Sequence, residues 1–73
     1  PYTAPDATIR YGSRSDGVRW LQYMLDAAGY DCGKIDGIAG VKTIAAIRAY
    51  QQDHGLTVDG LAGKKTVAAL TGK

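Results

Sequence analysis

Two stretches of this chain are near copies of each other. Residues 36–47 read DGIAGVKTIAAI and residues 59–70 read DGLAGKKTVAAL, an offset of 23 positions. Eight of the twelve positions are identical and three more exchange one aliphatic residue for another. Self-similarity at a fixed offset means one structural unit used twice. The unit has a readable physical content. Asp-Gly is a turn signal, because Asp bonds nearby backbone and Gly accepts a positive φ. Gly40 and Gly63 follow three residues later and fit a helix N-cap. A run of good helix formers comes next, so each copy is a turn that feeds a helix.

The segments before the two copies are also alike. Leu21-Gln22 leads to Ala28-Gly29-Tyr30, and Tyr50-Gln51 leads to His54-Gly55-Leu56. Gly29 and Gly55 suit the position that stops a helix, and Tyr30 or Leu56 can fold back on Leu25 or Tyr50. Three helices are predicted. The first spans about residues 16–28, capped by Ser15, with Asp16 favoured at the positive helix end. Val18, Leu21, Leu25 and Ala28 share its inner face. The second spans about 41–54, with Ile44, Ile47, Tyr50 and Gln51 inward. The third spans about 64–71, with Val67 and Leu70 inward. The expected fold is all-α, a small three-helix bundle with an internal helix–turn repeat and long loops. Residues 1–9, with Pro1 and Pro5 among small polar residues, read as a linker, and residues 10–73 as one domain. Residues 30–35 and 56–58 read as extended connections.

The 73 residues suffice for one domain. The chain starts at Pro1, and reads as a piece of a longer protein that carries a secretion signal or a catalytic domain elsewhere. Eleven alanines and no phenylalanine leave the core to a few aliphatics, tyrosines and Trp20. No apolar run approaches the roughly 20 residues of a membrane span. All seven acids are Asp, which favours turns and helix starts over helix interiors. The single Cys32 excludes an internal disulfide and, with one His, cannot fill a zinc site, so it reads as a packed free thiol.

The ordered set Gly12, Ser15, Gly17, Val18, Leu21, Gln22, then Gly29-Tyr30, then Asp36, Gly37, Gly40 and Thr43, then Tyr50-Gln51, His54-Gly55-Leu56, Asp59-Gly60, Gly63 and Thr66 resembles the peptidoglycan-binding domain 1 family. The match spans residues 12–70. This resemblance implies a three-helix bundle without catalytic activity. Such a bundle is joined covalently to amidases, peptidases, lytic transglycosylases, cortex-lytic enzymes or phage endolysins, and it holds them on their insoluble substrate. It also implies action outside the cytoplasm, at the cell wall, as a monomer. A related fold occurs in the propeptides of matrix metalloproteinases. Two departures recur in both copies. Ala39 and Ala62 stand where the family often has an aromatic residue, and Val41 and Lys64 stand where it often has Pro.

For a wall ligand, glycan strand or stem peptide, the expected contact residues are Arg14, Trp20, Tyr23, Tyr30 and Asp36. On a helical wheel Tyr23 points away from the core and Trp20 lies at its boundary. Exposed aromatic rings suit the apolar C–H faces of sugars. The same rings would equally serve a neighbouring domain or cap the core edge. Arg14 suits a stem-peptide carboxylate, or simply solvent. Asp36 and Asp59 either meet sugar hydroxyls or close their own turns, and their repetition favours the turns. Gln22 and Gln51 either bind stem amides or satisfy loop backbone, and the second role is the more natural one. His54 suits a helix C-terminus. No cofactor or metal is expected.

Two alternatives remain open. One is a prodomain-like module whose aromatic flank covers a partner enzyme. The other is a small basic DNA-binding domain, for which the net charge of +2 gives mild support. The long Asp-Gly loops speak against a compact helix-turn-helix, so no nucleic-acid or membrane partner is expected. An enzyme is disfavoured by the lack of a zinc motif, a Ser-His-Asp pattern or any Glu.

Overall fold

The computed structural model describes residues 2–72. Three helices follow one another: α1 over Asp16–Ala27, α2 over Val41–Asp53 and α3 over Lys64–Gly72. Each end lies within a residue or so of its expected position, the normal uncertainty of a helix terminus. The Ser15 hydroxyl accepts the Val18 N–H and starts α1. Helices α1 and α2 stop in the same way. Tyr30 N–H donates to Leu25 C=O at 2.8 Å, and Leu56 N–H donates to Gln51 C=O at 2.9 Å. Gly29 and Gly55 hold positive φ between those partners. This is the Schellman closure, which satisfies carbonyls that the helix leaves free.

Helix α1 packs against both α2 and α3. It therefore buries more than one stripe: Val18, Trp20, Leu21, Gln22 and Leu25 are all inside. Ile47, Tyr50 and Leu70 close the core from the other helices. Ala28, expected on the inner face of α1, is exposed. The helix ends at Ala27, so Ala28 already belongs to the turn. Ile44 and Val67 are only partly buried, at the edge of the core.

The loops are as much a part of the core as the helices. Ala39 and Ala62 are 1% and 0% exposed. Ile9, inside the segment read as a linker, is 3% exposed. The reason is backbone pairing. Ile9 exchanges two hydrogen bonds with Ala62, at 3.1 and 2.9 Å. A few residues on, Gly12 N–H reaches Ala39 C=O and Ala39 N–H reaches Ser13 C=O. Residues 9–15 thus thread between the two Asp-Gly loops and tie both down. Pro5 also sits over α1, so close that a Cβ on Gly17 would lie 2.6 Å from Pro5 Cβ.

Candidate functional site

Each Asp-Gly loop is organised around a buried glutamine. The Gln22 Oε1 accepts the Gly37 N–H at 2.9 Å. That donor fixes the amide orientation, since a backbone N–H can only donate. The Nε2 then lies within bonding distance of Asp36 Oδ1, Ile38 C=O and Thr43 Oγ1, at 3.1, 3.1 and 3.0 Å. Gln51 repeats this arrangement. Its Oε1 accepts from Asp59 and Gly60 N–H, and its Nε2 faces Asp59 Oδ1, Leu61 C=O and Thr66 Oγ1. Gln22 and Gln51 are each 1% exposed. No buried side-chain nitrogen or oxygen among the described residues lacks a partner.

Asp36 and Asp59 each close their own turn. Asp36 Oδ1 accepts the Ile38 N–H at 3.0 Å, and Asp59 Oδ1 accepts the Leu61 N–H at 2.9 Å. The backbone bond, reinforced by the glutamine amide, holds each carboxyl below the usual carboxylate range. Gly37 and Gly60 carry φ of 78° and 73°, which L side chains rarely adopt.

The five residues expected at a ligand do not meet in one place. Trp20 is 8% exposed and belongs to the core. A helical wheel puts it at the boundary, but in the fold it is buried, so little of its ring is left for a sugar face. Tyr23 is 42% exposed and its ring meets the edge of Tyr2 at 6.0 Å. Tyr30 turns toward the end of α2. Its hydroxyl donates to Asp53 Oδ2 at 2.7 Å, and its ring packs edge-on against Tyr50 at 5.4 Å. Tyr50 in turn stacks on His54 at 3.9 Å. The Asp53 bond favours the protonated phenol and raises the Tyr30 pKa. Arg14 is exposed and lines a cleft of about 470 Å³ between α1 and residues 3–9. Its backbone pairs with Ile38. Asp36 alone among the five lines the groove beside the first Asp-Gly loop.

That groove, about 490 Å³, is floored by Gln22 and Thr43 and walled by Gly33, Lys34, Ile38, Val41 and Lys42. Ile38 and Val41 are 42% and 73% exposed. Lys34 and Lys42 make no ion pair; the one ion pair among the described residues is Arg19–Asp16. The groove thus offers apolar surface, two ammonium groups and a rigid polar floor. Sequence reasoning placed none of Lys34, Ile38, Val41 and Lys42 at a wall ligand; it weighed Lys42, with Lys64 and Lys65, only as a phosphate contact in the DNA-binding alternative. The available signal was the aliphatic third position of the repeat, Ile38 or Leu61, in a turn otherwise made of small residues. Cys32 borders the groove but is 4% exposed. Burial first, then the nearby Asp26 and Asp31, push its thiol up to about 11.

The recurrent departures from the resembled family also find a place. Ala39 and Ala62 are buried in the core and do not line either loop's groove, so their small size is a matter of packing. Val41 is the first residue of α2.

Known proteins share this architecture. The crystal structure of the SleB N-terminal domain superposes with a TM-score of 0.90 at 39% identity, covering 94% of each chain. The Burkholderia AP3 phage endolysin gives a TM-score of 0.84 at 45% identity, over 89% of this chain and 25% of that one. The spore cortex-lytic enzyme of Halalkalibacterium halodurans is 42% identical over 53 residues, which are 73% of this chain and 16% of that enzyme. The chain therefore spans about a sixth of the curated relative it matches. A family model matches residues 14–70, and the chain belongs to that family, described as "Putative peptidoglycan binding domain".

Proposed function

We propose that this domain holds a covalently joined wall-degrading enzyme on peptidoglycan, outside the cytoplasm, and cleaves nothing itself. Family membership and the likeness to parts of a cortex-lytic enzyme and an endolysin support the reading. The observation that carries the binding site is the groove beside the first loop. Ile38 and Val41 meet the apolar faces of a muropeptide, and Lys34 and Lys42 pair with stem-peptide carboxylates. Asp36 stands at the rim. The use made of two of the acids supports a non-catalytic role. Asp36 and Asp59 are spent on closing turns and are held ionised, so neither supplies a proton to a leaving group. His54 is stacked on Tyr50, with Nδ1 at the Tyr50 carbonyl. Among the described residues, no helix is long and apolar enough to cross a membrane.

A shallow groove on a small domain supports weak affinity, a Kd of about 10 µM to 1 mM for a soluble fragment. Weak contacts suffice on a polymer that presents the same unit many times. The test uses purified sacculi and the monomeric domain. It should co-sediment with sacculi, with only modest loss as salt rises, and leave turbidity unchanged. Steep salt sensitivity would favour a polyanion such as DNA, and falling turbidity would overturn the non-catalytic claim. Amide shifts on titrating a muropeptide should centre on residues 33–43. Shifts confined to Tyr2, Arg14 and Tyr23 would move the site to the outer face of α1.

A further inference from the structure

We infer that the domain has a second wall-binding groove, beside the second Asp-Gly loop, and so engages peptidoglycan at two points. The inference rests on the wall-binding reading above but makes a separate claim. A groove of about 270 Å³ lies between Gln51, residues 56–61 and the start of α3. Five of its lining positions repeat those of the first groove. Asp36, Ile38, Val41, Lys42 and Thr43 line the first; Asp59, Leu61, Lys64, Lys65 and Thr66, each 23 residues further on, line the second. Gln51 forms the floor as Gln22 does, with the same three acceptors around its Nε2.

The chemistry carries over with the geometry. Leu61 is 39% exposed, matching Ile38 at 42%. Each groove holds two lysines: Lys34 and Lys42 in the first, Lys64 and Lys65 in the second. Neither Lys64 nor Lys65 makes an ion pair, the one such pair among the described residues being Arg19–Asp16. Two unpaired ammonium groups beside an exposed aliphatic side chain suit a carboxylate-bearing stem peptide. The occupant is therefore a second stem peptide of the same wall. Lys64 stands where the first groove has Val41, and Thr57 where it has Lys34, so the charge is kept while the lysines gather at the start of α3; the smaller volume suits the peptide better than the sugar rings. Two weak sites on one rigid body then act together on a polymer that offers many copies of the ligand, because the second contact forms at high effective concentration.

The experiment titrates a purified disaccharide-tetrapeptide muropeptide into the whole domain and follows amide shifts, with sacculi retention measured in parallel. Lys64→Glu/Lys65→Glu changes only exposed residues, and acids in a first helical turn are well tolerated, so the fold stays intact. A milder Leu61→Ala variant repeats the test without altering charge. Two groups of shifts are expected, at residues 33–43 and 56–66, with two muropeptides bound per domain. The Lys64→Glu/Lys65→Glu variant should lose the second group alone, and sacculi retention should fall about tenfold or more through lost avidity. Saturation at the first group only, with retention unchanged in the variants, overturns the second groove while leaving the wall reading in place. Failure of the wild-type domain to bind sacculi overturns both.

Discussion

Replacing Gln51 by Leu tests whether the buried amide, and not local turn preference, holds the second loop. The side chain is 1% exposed and close to Leu in size, so the substitution changes polarity far more than volume. It removes the acceptor for two backbone N–H groups, Asp59 and Gly60, and the donor for Asp59 Oδ1, Leu61 C=O and Thr66 Oγ1. The Gly60 N–H and the Thr66 hydroxyl lie at buried residues, so solvent does not replace the lost partner. Each orphaned buried group costs about 1–3 kcal/mol, giving roughly 2–6 kcal/mol for the two. The exposed partners recover most of their bonds from water. The hydrophobic gain of the leucine methyls offsets about 1 kcal/mol of this. The expected net loss is thus about 1–5 kcal/mol, against a total of about 4–11 kcal/mol for a domain of this length. Thermal unfolding should show a Tm lower by on the order of 5–40 °C. Gln22→Leu should behave alike, since its buried partners, the Gly37 N–H and the Thr43 hydroxyl, are equivalent. A loss below about 1 kcal/mol in both variants would show that the loops hold themselves, and the buried glutamines would lose their role as the organisers of the fold.

Three further outcomes are expected. Ile9→Ala should cost about 2–4 kcal/mol in chemical denaturation, because Ile9 is buried and its backbone pairs with Ala62; an unchanged midpoint would return residues 1–9 to the status of a tether. Acid should destabilise the domain through Asp36 and Asp59. Their folded pKa values lie below the unfolded value of about 3.9, so the stability they give is present above that pH and is lost as pH falls through the folded values. Tm should hold near neutrality and drop as pH falls below about 4, and the drop should shrink in an Asp36→Asn/Asp59→Asn variant, whose amide oxygens still accept the turn bonds. Superimposable acid limbs would refute the assignment. Val41→Pro should raise stability by about 0.4–1 kcal/mol. The first helical N–H has no helical partner to lose, and Gly40 before it is already extended, at φ −96° and ψ −166°. Destabilisation there would mean that the Val41 side chain packs in a way its 73% exposure does not suggest.

The local grammar of this protein was legible in its residues. Ser15 as a cap, the Gly29 and Gly55 stops, the Asp-Gly turns and the three helices all depend on partners a few positions away, so short patterns specify them. The role of Gln22 and Gln51 was readable too, since a glutamine at an inward helical position must find polar partners, and the nearest are in the loop that follows. The family resemblance has the same origin, because its motif is largely those caps, turns and amides. What the sequence left undecided is which faces are covered. A helical wheel presumes one packing partner; α1 has two, and Trp20, at the boundary of the wheel, is buried in the fold. Ile9 looked like tether because its partner, Ala62, lies 53 residues away and the bond between them is backbone to backbone, blind to side-chain pattern. Tyr30 looked free to bind until α2 brought Asp53 to its hydroxyl. The two grooves exist only where residues from a helix, a loop and the next helix converge, and that convergence is set by packing, which no local pattern encodes.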